Sequence, residues 1–310
     1  RQACSRAVSH LGRRTTSSSS AAAPLRILVI EGYARAGREE LENAGAGAAG
    51  RLYKEMLERN VREMSGRELQ CDLLYPADED YKAPSVEILR GYNAVAWTGS
   101  SLTIWKAAED ERVTRQIALA KDALAAGLPN FGSCWALQIA AVATGGRCEK
   151  NPKGREQGFA RKIALTTEGA QHPMFEGKPP VYDGFSAHDD IVVDLPEGTV
   201  LASNQWSPIQ AAAIELQNGA SFWAVQYHPE FTLHTMARLT SARIEKFIRL
   251  GIFRDTAAGE AYVKQLEELH ADPDRTDLAW LHGVDVDTQT EQVREVEVRN
   301  WLKHKVLCAA

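Results

Sequence analysis

Pro129-Asn-Phe-Gly-Ser-Cys-Trp-Ala-Leu-Gln138 decides how the rest of the chain is read. Pro129 to Gly132 reads as a short strand, a sharp turn holds Cys134, and a helical pattern runs from Trp135 to Thr144 until Gly145-Gly146 stops it. A nucleophile held between strand and helix is an elbow geometry. The turn presents the sulfur at the carboxyl edge of a sheet. The helix N-terminus sets partial positive charge beside it, which favours thiolate. The backbone N–H of Trp135 then points where a tetrahedral oxyanion forms. A cysteine in such a turn can also be a small core hydrophobe, so this segment alone leaves both readings open.

Outward from this turn, the N-terminal half alternates strand and helix. Leu25 to Ile30, Gln70 to Tyr75 and Asn93 to Thr98 are apolar runs bounded by Pro or Gly, and read as strands. Helical patterns cover Ala48 to Met64, Val86 to Arg90 and Asp110 to Ala126, the last stopped by Gly127. Alternation of this kind implies a mostly parallel sheet with helices on both faces, an α/β fold in three layers. After residue 150, strands follow in series: Phe159 to Thr166, Val181 to Phe185, Thr199 to Asn204, Ala211 to Leu216 and Ser221 to Tyr227. The sheet is therefore expected to be mixed. Thr235 to Leu250 is a predicted helix. From about Arg254 the chain turns helical and charged, with helices expected over Ala258 to His270 and Thr288 to Leu307. The expected organisation is a disordered tail over 1–24, one domain over 25–253 and a helical extension over 254–310, docked on that domain or on a second subunit.

The second informative stretch is Ala224-Val-Gln-Tyr-His-Pro-Glu230. His228 ends a predicted strand and Pro229 blocks its continuation. A histidine at a strand end can reach a thiol on a neighbouring strand end. A carboxylate two residues later can fix its tautomer and stabilise its cation.

Together these segments resemble the class I glutamine amidotransferases. The family pattern G-x-C-x-G-x-Q appears as Gly132, Cys134, Ala136 and Gln138, and V-Q-[FY]-H-P-E is intact over Val225 to Glu230. Trp97-Thr-Gly-Ser-Ser101 stands where the family has a glycine turn, and Ser186-Ala-His-Asp-Asp190 before Leu195-Pro-Glu-Gly198 is similar to the family's S-H-x-D segment. The resemblance covers about residues 25 to 250. It implies a class I glutamine amidotransferase-like, flavodoxin-like fold, with Cys134 as nucleophile, His228 as base and Glu230 as orienter. It further implies oxyanion donors near Gly99, Ser100 and Trp135, and substrate contacts from Gln138, Ser186 and His188. Two departures stand out: Ala136 replaces a glycine, and the oxyanion turn is Gly-Ser-Ser rather than Gly-Gly-Pro. They place the chain with stand-alone, GMP-synthase-like members.

The reaction implied is hydrolysis of a γ-glutamyl amide through a thioester on Cys134, releasing ammonia or an amine, with no metal or organic cofactor. The substrate class is glutamine or a γ-glutamyl compound. A separate synthetase subunit would be needed to use the ammonia, and a homo-oligomer is open. A γ-glutamyl peptide or polyamine hydrolase shares every role. A catalytically silent binding module is the reading from a different class.

The 310 residues carry a net charge of −5, which gives no electrostatic case for nucleic acid or anionic lipid as partner. No apolar run reaches the roughly 18 residues a membrane helix needs. Five scattered cysteines without a C-x-x-C pair suit a reducing compartment, with the cytoplasm expected. The first 30 residues lack Asp and Glu and carry Arg1, Arg6, Arg13, Arg14 and a run of serines, the composition of an organellar transit peptide or of a bland tail. Gly45-Ala-Gly-Ala-Ala-Gly50 matches a dinucleotide pattern, with Asp72 as its ribose acid, but sits too far past the first strand. His228, Glu230 and His234 lack a shared helical face for a metal, and His188, Asp189 and Asp190 read as a polar loop at the site's mouth.

Overall fold

The β-branched run after Pro24 forms β1 (Leu25–Ile30), buried along almost its whole length. In the computed structural model, which describes residues 24–308, β1 lies within a nine-stranded sheet. The N-terminal half continues with α1 (Arg35–Asn43), α2 (Ala49–Ser65), β2 (Leu69–Leu74), α3 (Val86–Leu89), β3 (Ala94–Trp97), α4 (Glu111–Ala125), β4 (Pro129–Ser133) and α5 (Trp135–Ala143). Next come β5 (Arg147–Lys150), β6 (Glu156–Leu165), α6 (Thr167–Gln171), β7 (Val181–His188), β8 (Asp190–Asp194), β9 (Gly198–Ser203), β10 (Ala211–Glu215) and β11 (Ser221–Val225). The chain closes with α7 (Leu233–Ser241), α8 (Ile244–Arg249), α9 (Thr256–Ala271), α10 (Thr276–His282), α11 (Val286–Gln289), α12 (Glu291–Arg294) and α13 (Val296–Trp301), which passes into a π-helical turn, Leu302–Leu307.

The strand order is β2-β1-β3-β4-β11-β10-β9-β6-β7. The first five strands are parallel and the rest antiparallel, so the sheet is mixed as the serial strands implied. Alternate strand residues feed two cores, because successive side chains leave a strand on opposite faces. Ile27, Val29, Ala96, Phe131 and Trp223 join Tyr53 and Leu57 of α2 on one face. Leu28, Val95, Trp97 and Phe222 join α4 and α5 on the other. The segment after residue 253 packs on the same body: Val298, Trp301, Leu302 and Val306 belong to the first core, and α9 and α10 to a third with α7.

Several elements differ from the sequence reading. Arg35–Asn43 is helical although it buries only Leu41. β5 and β8 form a separate antiparallel pair beside α5. The helix expected over 235–250 breaks at Ala242-Arg243, where Arg243 leaves helical geometry and pairs with Glu40 at 2.9 Å. The helix expected over 288–307 is three short pieces with a π-helical end, and α10 was not anticipated. The expected tail falls almost wholly on residues outside those described. Among the described residues, no helix is long and apolar enough to cross a membrane.

Candidate active site

β4 and β11 are parallel neighbours, with Gly132 opposite Ala224 and Ser133 opposite Val225. The chain leaving each strand therefore emerges at the same carboxyl edge. Cys134 donates its backbone N–H to the carbonyl of Val225 at 2.7 Å, then turns into α5 with φ +53° and ψ −96°. A side chain rarely adopts a positive φ, and strain of this kind collects at functional positions. Gly132 makes the turn possible. A methyl there would stand 2.4 Å from both the Ala136 Cβ and the Trp97 carbonyl oxygen. The methyl on Ala136 thus occupies space left by Gly132.

Beyond β11, Tyr227 leads to His228, whose backbone N–H donates to the Phe185 carbonyl at 2.8 Å. Its Nδ1 lies 2.7 Å from Glu230 Oε1, and its ring stacks flat on Phe231 at 4.0 Å between centroids. Glu230 Oε1 also accepts from Ser133 at 2.9 Å, and Ser133 from Tyr53 at 2.7 Å. Cys134, His228 and Glu230 are all buried. Gly99 sits against both the imidazole and the thiol: a methyl on it would lie 3.0 Å from His228 Cε1 and 3.9 Å from Cys134 Cβ. His228 Nε2 is buried without a geometric hydrogen-bond partner among the described residues, although Cys134 lies close enough to bear on the ring. The pair nonetheless interacts electrically. Burial pulls the His228 pKa down, but the charges of Glu230 and Cys134 outweigh it and raise the imidazole from 6.5 to about 10. Both neighbours thus favour the protonated form of the ring.

The glycine turn is fixed from below. Ser100 Oγ donates to the Gly32 carbonyl at 2.8 Å and accepts the Leu102 N–H at 3.1 Å. Thr98 and the buried Glu31 brace the same turn through the Gly32 and Tyr33 amides. Trp135 lies at the first position of α5, where an amide has no partner within the helix. It lines, with Ser100, Cys134, Gln138 and His188, a cavity of about 780 Å³ at the carboxyl edge of the sheet. Gln138 reaches the Asp190 carbonyl at 3.5 Å.

Two residues named from the sequence have their polar atoms committed to protein partners. Ser186 is fully buried, its hydroxyl turned to Glu156 at 3.3 Å. His188 lines the cavity, but its Nδ1 is 2.9 Å from the Asp190 carbonyl and its Nε2 is 2.8 Å from Glu156. Asp189 pairs with Arg155, and Asp190 accepts from Trp105, so the polar loop is held by protein contacts. His234 points to Glu267 at 2.7 Å, away from the His228–Glu230 pair. Asp72 is paired to Arg26, and α1 separates Gly45–Gly50 from β1.

Sequence reasoning missed the residues that hold the site. Glu156 accepts from His188, Asn204 and Gln210, and these bonds hold its carboxylate below the usual range against the cost of burial. Arg155 and Arg243 line the cavity. None stands in a recognisable spacing with Cys134, and only the fold brings them near.

The family model for glutamine amidotransferase class-I matches residues 101–245. A gamma-glutamyl-L-1-hydroxyisopropylamide hydrolase from Pseudomonas sp is 30% identical over 92% of this chain and 95% of its own length. GMP synthase [glutamine-hydrolyzing] from Thermus thermophilus is 28% identical over 77% of this chain, which spans only 43% of that protein. Among solved structures, a glutamine amidotransferase from Thermotoga maritima superposes with a TM-score of 0.62 at 16% identity, covering 91% of this chain and 98% of that one. With a relative matched along nearly its full length and the fold in common, the chain belongs to the class I glutamine amidotransferase family.

Proposed function

We propose that the chain hydrolyses a substituted γ-glutamyl amide, with Cys134 as nucleophile. The observation that carries this is Cys134 itself, held at positive φ at the start of α5, beside a buried imidazole paired to Glu230. In the reaction, the sulfur attacks the γ-carbonyl and a tetrahedral oxyanion forms, accepting from backbone amides near Gly99 and Trp135. The C–N bond breaks as His228 gives its proton to the departing nitrogen, leaving a γ-glutamyl thioester. His228, now neutral, takes a proton from water as the water attacks the thioester. Glutamate leaves, and the thiolate–imidazolium pair is restored. Glu230 fixes the ring, and Gln138 faces the amino-acid end of the substrate.

The choice of a substituted amide over glutamine rests on size. A cavity near 780 Å³ is on the scale of pockets for drug-sized ligands, about 300–1,000 Å³, and leaves room beyond a single amino acid for an amine substituent. The Pseudomonas relative is named for a hydroxyisopropylamide of this type. The GMP synthase relatives support a second reading, in which glutamine is the substrate and ammonia passes to a separate synthetase chain.

A panel of glutamine and γ-glutamyl amides of increasing amine size, assayed for glutamate release, tests the proposal. Substituted amides should turn over with higher kcat/KM than glutamine, and Cys134→Ala should abolish turnover. Activity should fall as pH rises towards 10, where His228 loses the proton it must donate. Undiminished turnover by Cys134→Ala would sink the mechanism, and a preference for glutamine would return the chain to the second reading.

A further inference from the structure

The stretch from His228 to Glu230 lies past the end of β11. Pro229 has no N–H, so this turn cannot be secured by a further rung of the sheet. Its carbonyl is secured by the C-terminal segment. Arg294, 5% exposed at the end of α12, donates Nε–H to the Pro229 oxygen at 3.1 Å. Its remaining nitrogens bond the Thr288 carbonyl at 3.0 Å and approach Glu295 at 3.5 Å. Glu295 is itself bound to Asn60 and Arg59 of α2. On the other side of His228, the Tyr227 hydroxyl donates to Glu297, which is fully buried and paired with Lys178 at 3.0 Å. The same segment reaches the other strand of the site, where Trp301 packs on Phe131 of β4 at 5.6 Å between ring centroids.

Burying an arginine and two carboxylates is expensive, and apolar groups often serve as well or better where only stability is needed. Val298, Trp301, Leu302 and Val306 already supply an apolar dock for this segment. The charged groups instead grip the residues immediately before and after His228. We infer that Arg294 and Glu297 are positioning residues for the active site: they fix Pro229 and Tyr227, and so hold the His228 ring at working distance from Cys134. The inference rests on the catalytic reading of Cys134 and His228.

The test uses the full chain and the γ-diazoketone analogue of glutamine, which alkylates a reactive cysteine in such a site. Its inactivation rate (kinact) and binding constant (KI) are measured beside kcat and KM for the wild type, Arg294→Met, Arg294→Lys and Tyr227→Phe, with mass spectrometry locating the label. Misplacing a reacting group by about 1 Å can cost on the order of 100-fold, so Arg294→Met should lose at least roughly tenfold in kinact and kcat. KI and KM should stay near wild type, because Arg294 does not line the cavity. Arg294→Lys, which retains a donor, should recover part of the loss. Tyr227→Phe, which deletes one hydroxyl, should show the same split with a smaller drop, and carries the test if Arg294→Met does not fold. Folded variants that react at the wild-type rate, or that weaken KI and KM while kinact holds, overturn the inference. A wild type that takes no label at Cys134 defeats the catalytic reading itself, a result distinct from either.

Discussion

Gly99 has only hydrogen to set against the side chains of His228 and Cys134. A methyl there would stand 3.0 Å from His228 Cε1, closer than carbon atoms normally approach. The ring has nowhere to retreat, since it is stacked on Phe231 and tied to Glu230. Gly99→Ala is therefore expected to move the imidazole by a few tenths of an ångström and to lower kcat on the order of tenfold. The melting temperature should change little. Steady-state kinetics beside a thermal melt checks this, and a wild-type kcat would show that the ring tolerates displacement. Residues of this kind differ in how far the sequence reveals them. Cys134, His228 and Glu230 were legible because each stands at a chain feature that a sequence displays: a strand-to-helix turn, a strand end, and a proline between two polar groups. Ser133 and Tyr53, which hydrogen-bond in series to Glu230, were not legible. A serine and a tyrosine eighty residues apart become partners only once α2 covers the sheet. His188 and Ser186 were legible as polar residues near the site. Their commitment to Glu156 was not, because Glu156 arrives on a different strand.

At the scale of elements, the β4–α5 junction depends on an absence. A side chain at Gly132 would meet the Trp97 carbonyl oxygen and the Ala136 methyl, both at 2.4 Å. Gly132→Ala should destabilise the fold by about 3 kcal/mol or more, at the upper end of what overpacking costs, because a backbone oxygen of β3 cannot rotate aside. The double variant Gly132→Ala/Ala136→Gly should recover little of this, since it relieves only the contact between the two methyls. Denaturant titration of the three proteins decides it. Full recovery in the double variant would make Ala136, rather than the neighbouring strand, the obstacle. The same junction explains why β4 and α5 could be read directly: strand, glycine, cysteine and helix follow within one short stretch, and no distant contact is needed to see them. The α1 helix and the β5–β8 pair lacked such a signal. Leu41 is the sole fully buried residue of α1, and Cys148 the sole buried residue of β5, so neither displays a period. The helix expected over 235–250 reads as continuous because its own residues carry no break signal at Arg243, whose side chain pairs with Glu40, two hundred residues earlier.

For the whole molecule, the sequence suggested an extension beginning near Arg254, and the packing divides that stretch unevenly. α9 and α10 lie over α7 in a core of their own. The stretch from Val298 to Val306 enters the main core, where Val298, Trp301, Leu302 and Val306 are at most 1% exposed. Burying side chains of this size contributes roughly 1.5–3 kcal/mol each, so their loss removes on the order of 8 kcal/mol. That is comparable with the whole stability of an ordinary domain, about 5–15 kcal/mol. Removing them also leaves the buried Lys178 without Glu297, and an unpaired buried charge costs about 3–5 kcal/mol more. A chain ending at Thr290 is therefore expected to lose cooperative unfolding and to aggregate rather than to yield a smaller active enzyme. Circular dichroism melts and size-exclusion chromatography of that truncation, beside the full chain, provide the measurement. A second protein separates the two causes. Lys178→Met/Glu297→Leu in the full chain replaces the ion pair with apolar groups of similar size, and should stay folded because the hydrophobic dock remains. If the truncated chain is monomeric and melts cooperatively, the C-terminal segment is an appendage after all. If the double variant unfolds as the truncation does, the buried ion pair rather than the apolar dock holds the segment in place.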